Sequence, residues 1–262
     1  MKYYIVDAFT EAIFSGNQAG VCLIDEWPDD RIMQNIAAEN NLSETAFVIK
    51  RGSYYDLRWF TPTLEIDLAG HPTLASAFVI TNFVDKDAVD IKFHTMSGVL
   101  SVRKIDDLYE MDFPSRPPKQ VQVTDLMGQA VGVPVQEASL SRDMLLLLGS
   151  EREVAELKPD IGLLSRIPDC FAAVVTAKGN DVDFVSRFFA PNAGIPEDPV
   201  TGSSHSTLIP FWAERLGKSK MTAKQLSKRG GVLFCEHCGD RVKIAGRAAL
   251  YLEGEIKVGV ST

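Results

Sequence analysis

Side chains able to carry a proton crowd two short stretches of this 262-residue chain. Asp67 and His71 lie in "EIDLAGHPT", and Glu197, Asp198, Ser203, Ser204 and His205 lie in "PEDPVTGSSHS". Glu44 stands apart in "NLSETAF", between a helix-like and a strand-like segment. A single carboxylate can both accept a proton and return it. Each cluster also brackets a glycine, Gly70 or Gly202, at an expected helix start. The first turn of a helix leaves amides without internal partners and carries about half a positive charge. Glycine lets a ligand approach that backbone closely. Two such ends facing one cleft would bind a carboxylate or a developing oxyanion without a cationic side chain. Plainer roles exist for every one of these residues. Glu44 fits a solvated surface, His71 or Ser203 a helix cap, Asp198 before Pro199 a turn, and the glycines tight loop ends.

The elements that must position these residues come in a repeated order. "RWFTP" (58–62) and "RFFAP" (187–191) both read as a strand ending Arg-aromatic-Phe-small-Pro. Each is followed by a loop, a glycine and an apolar helix. Seven residues separate Pro62 from Gly70 and ten separate Pro191 from Gly202. An internal repeat points to two equivalent halves packed about a pseudo-two-fold axis, with the two helix starts across a cleft. From Leu74 to Ile80 the first helix has no polar face, so protein must surround it. Pro72 suits a first helical position with His71 as its cap. The second helix contains Pro210, which predicts a kink.

Around these lie strands at "YYIVDAF", "AGVCLID", "ETAFVIKRG", "YYDLRWFTP", "VDIKFH", "GVLSVRKI", "LYEMDFP" and "AALYLEGEIKVG", with further strands near 144–148 and 171–177. A helix over "WPDDRIMQNIAAENN" has Asp29 or Asp30 as its cap and Asn40–Asn41 as its end. "PSRPPKQ" is the most linker-like stretch, which divides the chain into lobes 1–117 and 118–262. Together these predict an α/β (α+β) protein with two pseudo-symmetric lobes.

Composition agrees with a globular protein: 45% of residues are hydrophobic and 24% charged. A net charge of −8 argues against nucleic acid or an anionic membrane surface as partner. The longest apolar runs are too short for a secretory signal or a membrane span, so a cytoplasmic location is expected.

"NLSETAFV", "DLAGHPTLASA", "RFFAPNAGIPEDPVTGSSHSTL" and "GRAALYLEGEI" closely resemble the signature segments of the phenazine-biosynthesis PhzF-like isomerase family, in order along nearly the whole chain. The resemblance implies a diaminopimelate-epimerase-like fold, each lobe a curled sheet around a central apolar helix, with the last strand able to return to the first lobe. It implies a cofactor-independent isomerase that moves a proton on a small carboxylate-bearing cyclic or unsaturated substrate. Glu44 matches the general acid/base, and His71, Asp198 and Ser203 match supporting catalytic residues. Gly70, Thr201 and Gly202 match the backbone that binds the substrate carboxylate. A homodimer is implied, and no metal. The superfamily's thiol-dependent epimerases carry cysteines where this chain has Ala69 and Thr201, which excludes two-cysteine racemisation here. The rival readings are a non-catalytic ligand- or partner-binding protein that keeps the cleft, and a lyase or hydrolase that uses it.

Cys22, Cys170, Cys235 and Cys238 are too few for a disulfide scaffold. "CEHCG" lacks a second ligand pair for zinc and reads as part of a hairpin with a reduced pair. "SKRGG" (227–231) reads as a basic, solvated turn.

Overall fold

The structure, a computed structural model, describes residues 1–258. The chain divides into two units, residues 1–112 with 245–262, and residues 113–244. It therefore passes between units twice, after Asp112 and after Ile244.

The first unit runs β1 (Lys2–Ala8), β2 (Asn17–Ile24), α1 (Asp30–Asn40), β3 (Glu44–Arg51), β4 (Tyr54–Phe60), β5 (Glu65–Ile66), α2 (Gly70–Val79), a π-helical turn (Ile80–Val84), β6 (Asp90–Thr95), β7 (Gly98–Ile105) and β8 (Leu108–Pro114). The second runs β9 (Lys119–Val121), α3 (Asp125–Val131), β10 (Glu137–Leu140), β11 (Met144–Leu147), α4 (Glu151–Glu156), α5 (Ile161–Leu164), β12 (Ala173–Lys178), β13 (Phe184–Ala190), a 3-10 turn (Pro191–Ala193), β14 (Ile195–Asp198), α6 (Gly202–Leu216), β15 (Lys220–Gln225), β16 (Gly231–Cys238) and β17 (Arg241–Gly246). The last strand, β18 (Ala248–Glu255), lies in the first unit and pairs antiparallel with β1.

The two units share one pairing scheme. In the first, β18, β1 and β2 pair antiparallel, β2 and β3 parallel, β3 and β4 antiparallel, β4 and β6 parallel, and β6 and β7 antiparallel. In the second, β9, β10, β11, β12, β13, β15 and β16 repeat that sequence of directions, step for step. The C-terminal strand thus supplies in the first unit what β9 supplies in the second.

Each sheet wraps a central helix. Residues 71–77 and Val79 of α2 are all buried, as its uniformly apolar sequence requires. Its polar groups are satisfied locally: Thr73 Oγ1 donates to the Ala69 carbonyl and Ser76 Oγ to that of Pro72, 2.7 Å away. Residues 204–213 of α6 are buried in the same way. α1 covers the other side of the first sheet with Met33, Ile36 and Ala37, against Tyr3, Cys22, Phe47 and Phe60. α3, α4 and α5 cover the second with Met127, Val131, Val154, Leu157 and Leu164. Each Met, Ile, Leu, Val or Phe among them contributes about 1.5–3 kcal/mol by leaving water.

One local expectation changes. α2 opens at Gly70 with Ala69 in the cap position, so His71 is not a cap and Pro72 sits inside the first turn. A proline costs little there, because first-turn amides have no intrahelical partner. α6 runs through Pro210, which has no N–H for the Ser206 carbonyl four residues back. That carbonyl accepts the Arg116 amide at 2.8 Å instead, so the proline-rich 114–118 segment is stitched to the gap.

Candidate active site

Glu44 is placed by the end of α1. Asp29 caps that helix, accepting the Arg31 amide at 2.8 Å, and Asn41 ends it in the left-handed conformation. The chain reverses there, and Asn40 Nδ2 donates to Thr45 Oγ1 at 3.1 Å. β3 then begins with Glu44 opposite Ala19 of its parallel neighbour β2. Glu44 is 9% exposed and His71 7%, and Glu44 Oε2 lies 3.0 Å from His71 Nε2. The two are at ion-pair distance, off the line of an aligned hydrogen bond. On the far side of the ring, Asn17 Nδ2 lies 3.3 Å from His71 Nδ1. An amide nitrogen only donates, so with Nδ2 assigned there Nδ1 accepts, and the neutral ring carries its proton on Nε2, beside the carboxylate.

Asn17 is itself held by a turn that needs glycine. Gly16 has φ +66°, and a Cβ on it would meet the Ala8 carbonyl at 2.2 Å. Asp7 Oδ2 accepts the Phe14 amide of the same loop at 2.9 Å.

The second unit gathers Asp198, Thr201, Gly202 and Ser203 at the start of α6. Thr201 Oγ1 donates to Asp198 Oδ2 in a short bond. The buried Gln225 side chain accepts the Thr201 amide at 2.9 Å and donates to the Asp198 carbonyl at 2.8 Å. Thr201 is therefore engaged through both its amide and its hydroxyl, and what it gives the site is a fixed Asp198. Ser203 Oγ accepts from Arg142 Nη2 at 3.1 Å. Ser204 and His205 are fully buried instead of joining it: Ser204 Oγ donates to the Thr201 carbonyl at 2.9 Å, and His205 Nδ1 lies 2.8 Å from that same oxygen. Burial without a counter-charge pushes the His205 pKa down to about 4. Asp67 is exposed, and its carbonyl accepts Ser97 Oγ at 2.8 Å.

The helices differ in how they begin. α1, α3, α4 and α5 each have a side chain from Asp29, Thr124, Ser150 or Asp160 on a first-turn amide. α2 and α6 have none from their cap residues, Ala69 and Thr201. Their first-turn amides are thus left to other acceptors, at the positive end of each dipole.

The repeated motif performs one task in both units. Arg58 of β4 grips Glu65 of β5 through bonds of 2.6 and 2.7 Å, and Arg187 of β13 grips Glu197 of β14 through bonds of 2.7 and 3.0 Å. Each glutamate stands five residues before the glycine that opens the central helix. The difference in loop length lies wholly between the proline and that glutamate, where the second unit inserts its 3-10 turn. Aligned on these marks, His71 answers Ser203 and Ala69 answers Thr201. Strand register extends the match: Thr45 pairs with Phe60 as Ala173 pairs with Phe189, and Gly20 pairs with Thr45 as Met144 pairs with Ala173. Glu44 is therefore answered by Ala172, and Asn17 by Ser141, one residue before Arg142.

Asn17, Arg142 and Gln225 have no signal in the sequence that marks them. Their partners lie 54, 61 and 24 residues away. Among the described residues no group of three or more His, Cys, Asp or Glu side chains is placed to hold a metal ion. Cys235 is buried in β16 while Cys238 at its end is exposed, and neither is in a disulfide. In the basic turn, Ser227 Oγ donates to the Pro199 carbonyl at 2.8 Å, bracing the loop that carries Asp198. No described helix is long and apolar enough to cross a membrane.

The family model for phenazine biosynthesis-like proteins (PhzC-PhzF) matches residues 6–254. An uncharacterized isomerase of Pseudomonas aeruginosa is 47% identical over 256 residues, covering 98% of each chain. The crystal structure of a phenazine biosynthesis protein of the PhzF family from Enterococcus faecalis is 46% identical with a TM-score of 0.97, over 98% of this chain and 99% of that one. A predicted epimerase from Pseudomonas aeruginosa, 17% identical with a TM-score of 0.74 over 98% of this chain and 99% of that one, shares the fold.

Proposed function

Since the chain belongs to the phenazine biosynthesis-like (PhzC-PhzF) family, we propose that it is a cofactor-independent isomerase acting on a small carboxylate-bearing cyclic or unsaturated compound, with Glu44 as general acid/base. The observation that carries this reading is the buried Glu44–His71 pair, with Nε2 and Oε2 3.0 Å apart and the ring set from behind by Asn17. In the proposed step the Glu44 carboxylate takes a proton from carbon, and the C–H electron pair enters the substrate's conjugated system. The double bond shifts, and the same carboxyl returns the proton to another carbon. Nothing is oxidised or reduced, and no atom is lost. The protonated His71 Nε2 beside Glu44 stabilises the carboxylate form before and after transfer.

Asp198 and Ser203 orient the substrate in this reading. Gly70 and Gly202 present first-turn amides to its carboxylate, and Thr201 acts through Asp198. Ala69 and Thr201 carry no thiol, which disfavours two-cysteine epimerisation. The neighbour of Ser203 Oγ is a donor, not a base, which disfavours a serine hydrolase.

The test is hydrogen exchange. The protein is screened against unsaturated and cyclic carboxylic acids in deuterium oxide. The wild type is expected to place deuterium on carbon of the acid it accepts, and Glu44→Gln to keep its thermal stability while losing exchange by at least about a hundredfold. Exchange at the wild-type rate in Glu44→Gln removes Glu44 from the chemistry. Binding without exchange in the wild type leaves a ligand-binding protein.

A further inference from the structure

We infer that Arg142 is a positioning residue of the substrate site, holding the Ser203 hydroxyl as a hydrogen-bond donor toward a planar carboxylic acid that packs on Phe171. The inference rests on the carboxylate-site reading above and adds to it two residues and a shape. Arg142 lies at the tip of the β10–β11 hairpin. Its guanidinium is locked by two bonds to Asp143, of 2.8 and 2.7 Å, and Asp143 is 1% exposed. A fork gripping a buried carboxylate has little freedom to swing. Its remaining reach goes to Ser203 Oγ at 3.1 Å.

Arginine has no acceptor, so Ser203 must accept here. The hydroxyl proton is then turned away from Arg142 and is available to donate to an anion. The charge of Arg142 is matched by Asp143, so its contribution is orientation more than attraction.

Phe171 supplies the surface. Its ring lies 5.1 Å from the Arg142 guanidinium, its amide donates to the Arg142 carbonyl at 3.0 Å, and it is 49% exposed. An exposed ring beside the guanidinium that holds the Ser203 hydroxyl favours a flat, unsaturated partner over a puckered ring, by stacking.

The duplication supports the same assignment independently. In the first unit Asn17, entering β2, sets the side chain that follows the helix-opening glycine, His71. In the second, Arg142, one residue from the equivalent register position and entering β11, sets Ser203, which also follows the glycine. Two unrelated side-chain types do the same job at matching places.

The test uses 4-fluorobenzoate as the probe, followed by fluorine NMR, with cyclohexanecarboxylate as its saturated counterpart. The wild type is expected to prefer the planar acid. Arg142→Met and Ser203→Ala should each weaken 4-fluorobenzoate binding about tenfold, and the double variant should be no weaker than either single one. Arg142→Lys keeps a cation for Asp143 and carries the test if the methionine variant does not fold. It should bind several-fold more weakly than the wild type, because one ammonium cannot reproduce the fork. Phe171→Ala should erase the preference between the two acids. Wild-type binding in the Arg142 variants, losses that multiply in the double variant, or a wild type that binds neither acid overturns the inference. Cys238→Ser, at an exposed position outside the site, should bind 4-fluorobenzoate as the wild type does, and this binding readout needs no proton transfer. Failure of the proton-transfer reading therefore appears in the exchange experiment and failure of this one in the Arg142 arms.

Discussion

The Arg187 guanidinium holds the Glu197 carboxylate by two parallel hydrogen bonds and spends its last nitrogen on the Val154 and Leu157 carbonyls, at 3.2 and 2.7 Å. One side chain thus joins β13, the return strand β14 and the end of α4. Its counterpart Arg58 grips Glu65 in the same manner, but its third partner, Asp30, is exposed. The same motif therefore carries different weight in the two units. Arg187→Met leaves the buried Val154 and Leu157 carbonyls, as well as Glu197, without their donor and is expected to lower stability by about 2–4 kcal/mol. Arg58→Met, nearer to solvent, is expected to cost about 1–2 kcal/mol. Urea denaturation of the two variants measures the difference, and equal losses would contradict it.

His205 predicts how stability responds to acid. Its pKa is about 4 in the folded chain and near 6.5 when unfolded. Between those values the unfolded chain binds the extra proton, so stability rises with pH. The contribution is fully present above pH 6.5 and is lost as pH falls to 4, by at most about 3 kcal/mol. His205→Gln should flatten urea midpoints measured between pH 7 and pH 4.5. A variant with the wild-type slope would place the titration elsewhere.

The four cysteines should separate by reactivity. Burial pushes the Cys22 and Cys235 thiols well above the usual range, Cys170 is half-buried and also raised, and Cys238 is exposed. At pH 8 a disulfide reagent should label Cys238 first, Cys170 more slowly, and Cys22 and Cys235 only once the chain unfolds. Mass spectrometry of timed samples reads the order, and early labelling of Cys235 would contradict its burial.

Much of the frame was legible because it depends on local pattern. The all-apolar run at 74–80 announced a surrounded helix, and the paired Arg-aromatic-Phe-small-Pro segments announced the repeat. Asn41 ended α1 in the conformation asparagine tolerates best among ordinary residues. The misreadings came where backbone geometry decides without a side-chain signal. Ala69 opens α2 by an extended φ and ψ alone, so a reader looking for a capping side chain moves the start to His71. β5 and β14 are too short for alternation to show. The Arg–Glu grips that hold them appear only in three dimensions, as do Asn17, Arg142 and Gln225.

The register match that sets Ala172 against Glu44 has a stereochemical consequence. The duplicated scaffold kept one carboxylate and put a methyl group at the equivalent place. Under the proposed mechanism Glu44 alone lifts and replaces hydrogen, which makes the transfer suprafacial, and part of an isotope taken from the starting carbon should reappear on the product. Under the same mechanism, inverting a stereocentre needs a second acid, and Ala172, the residue that answers Glu44 in register, has none.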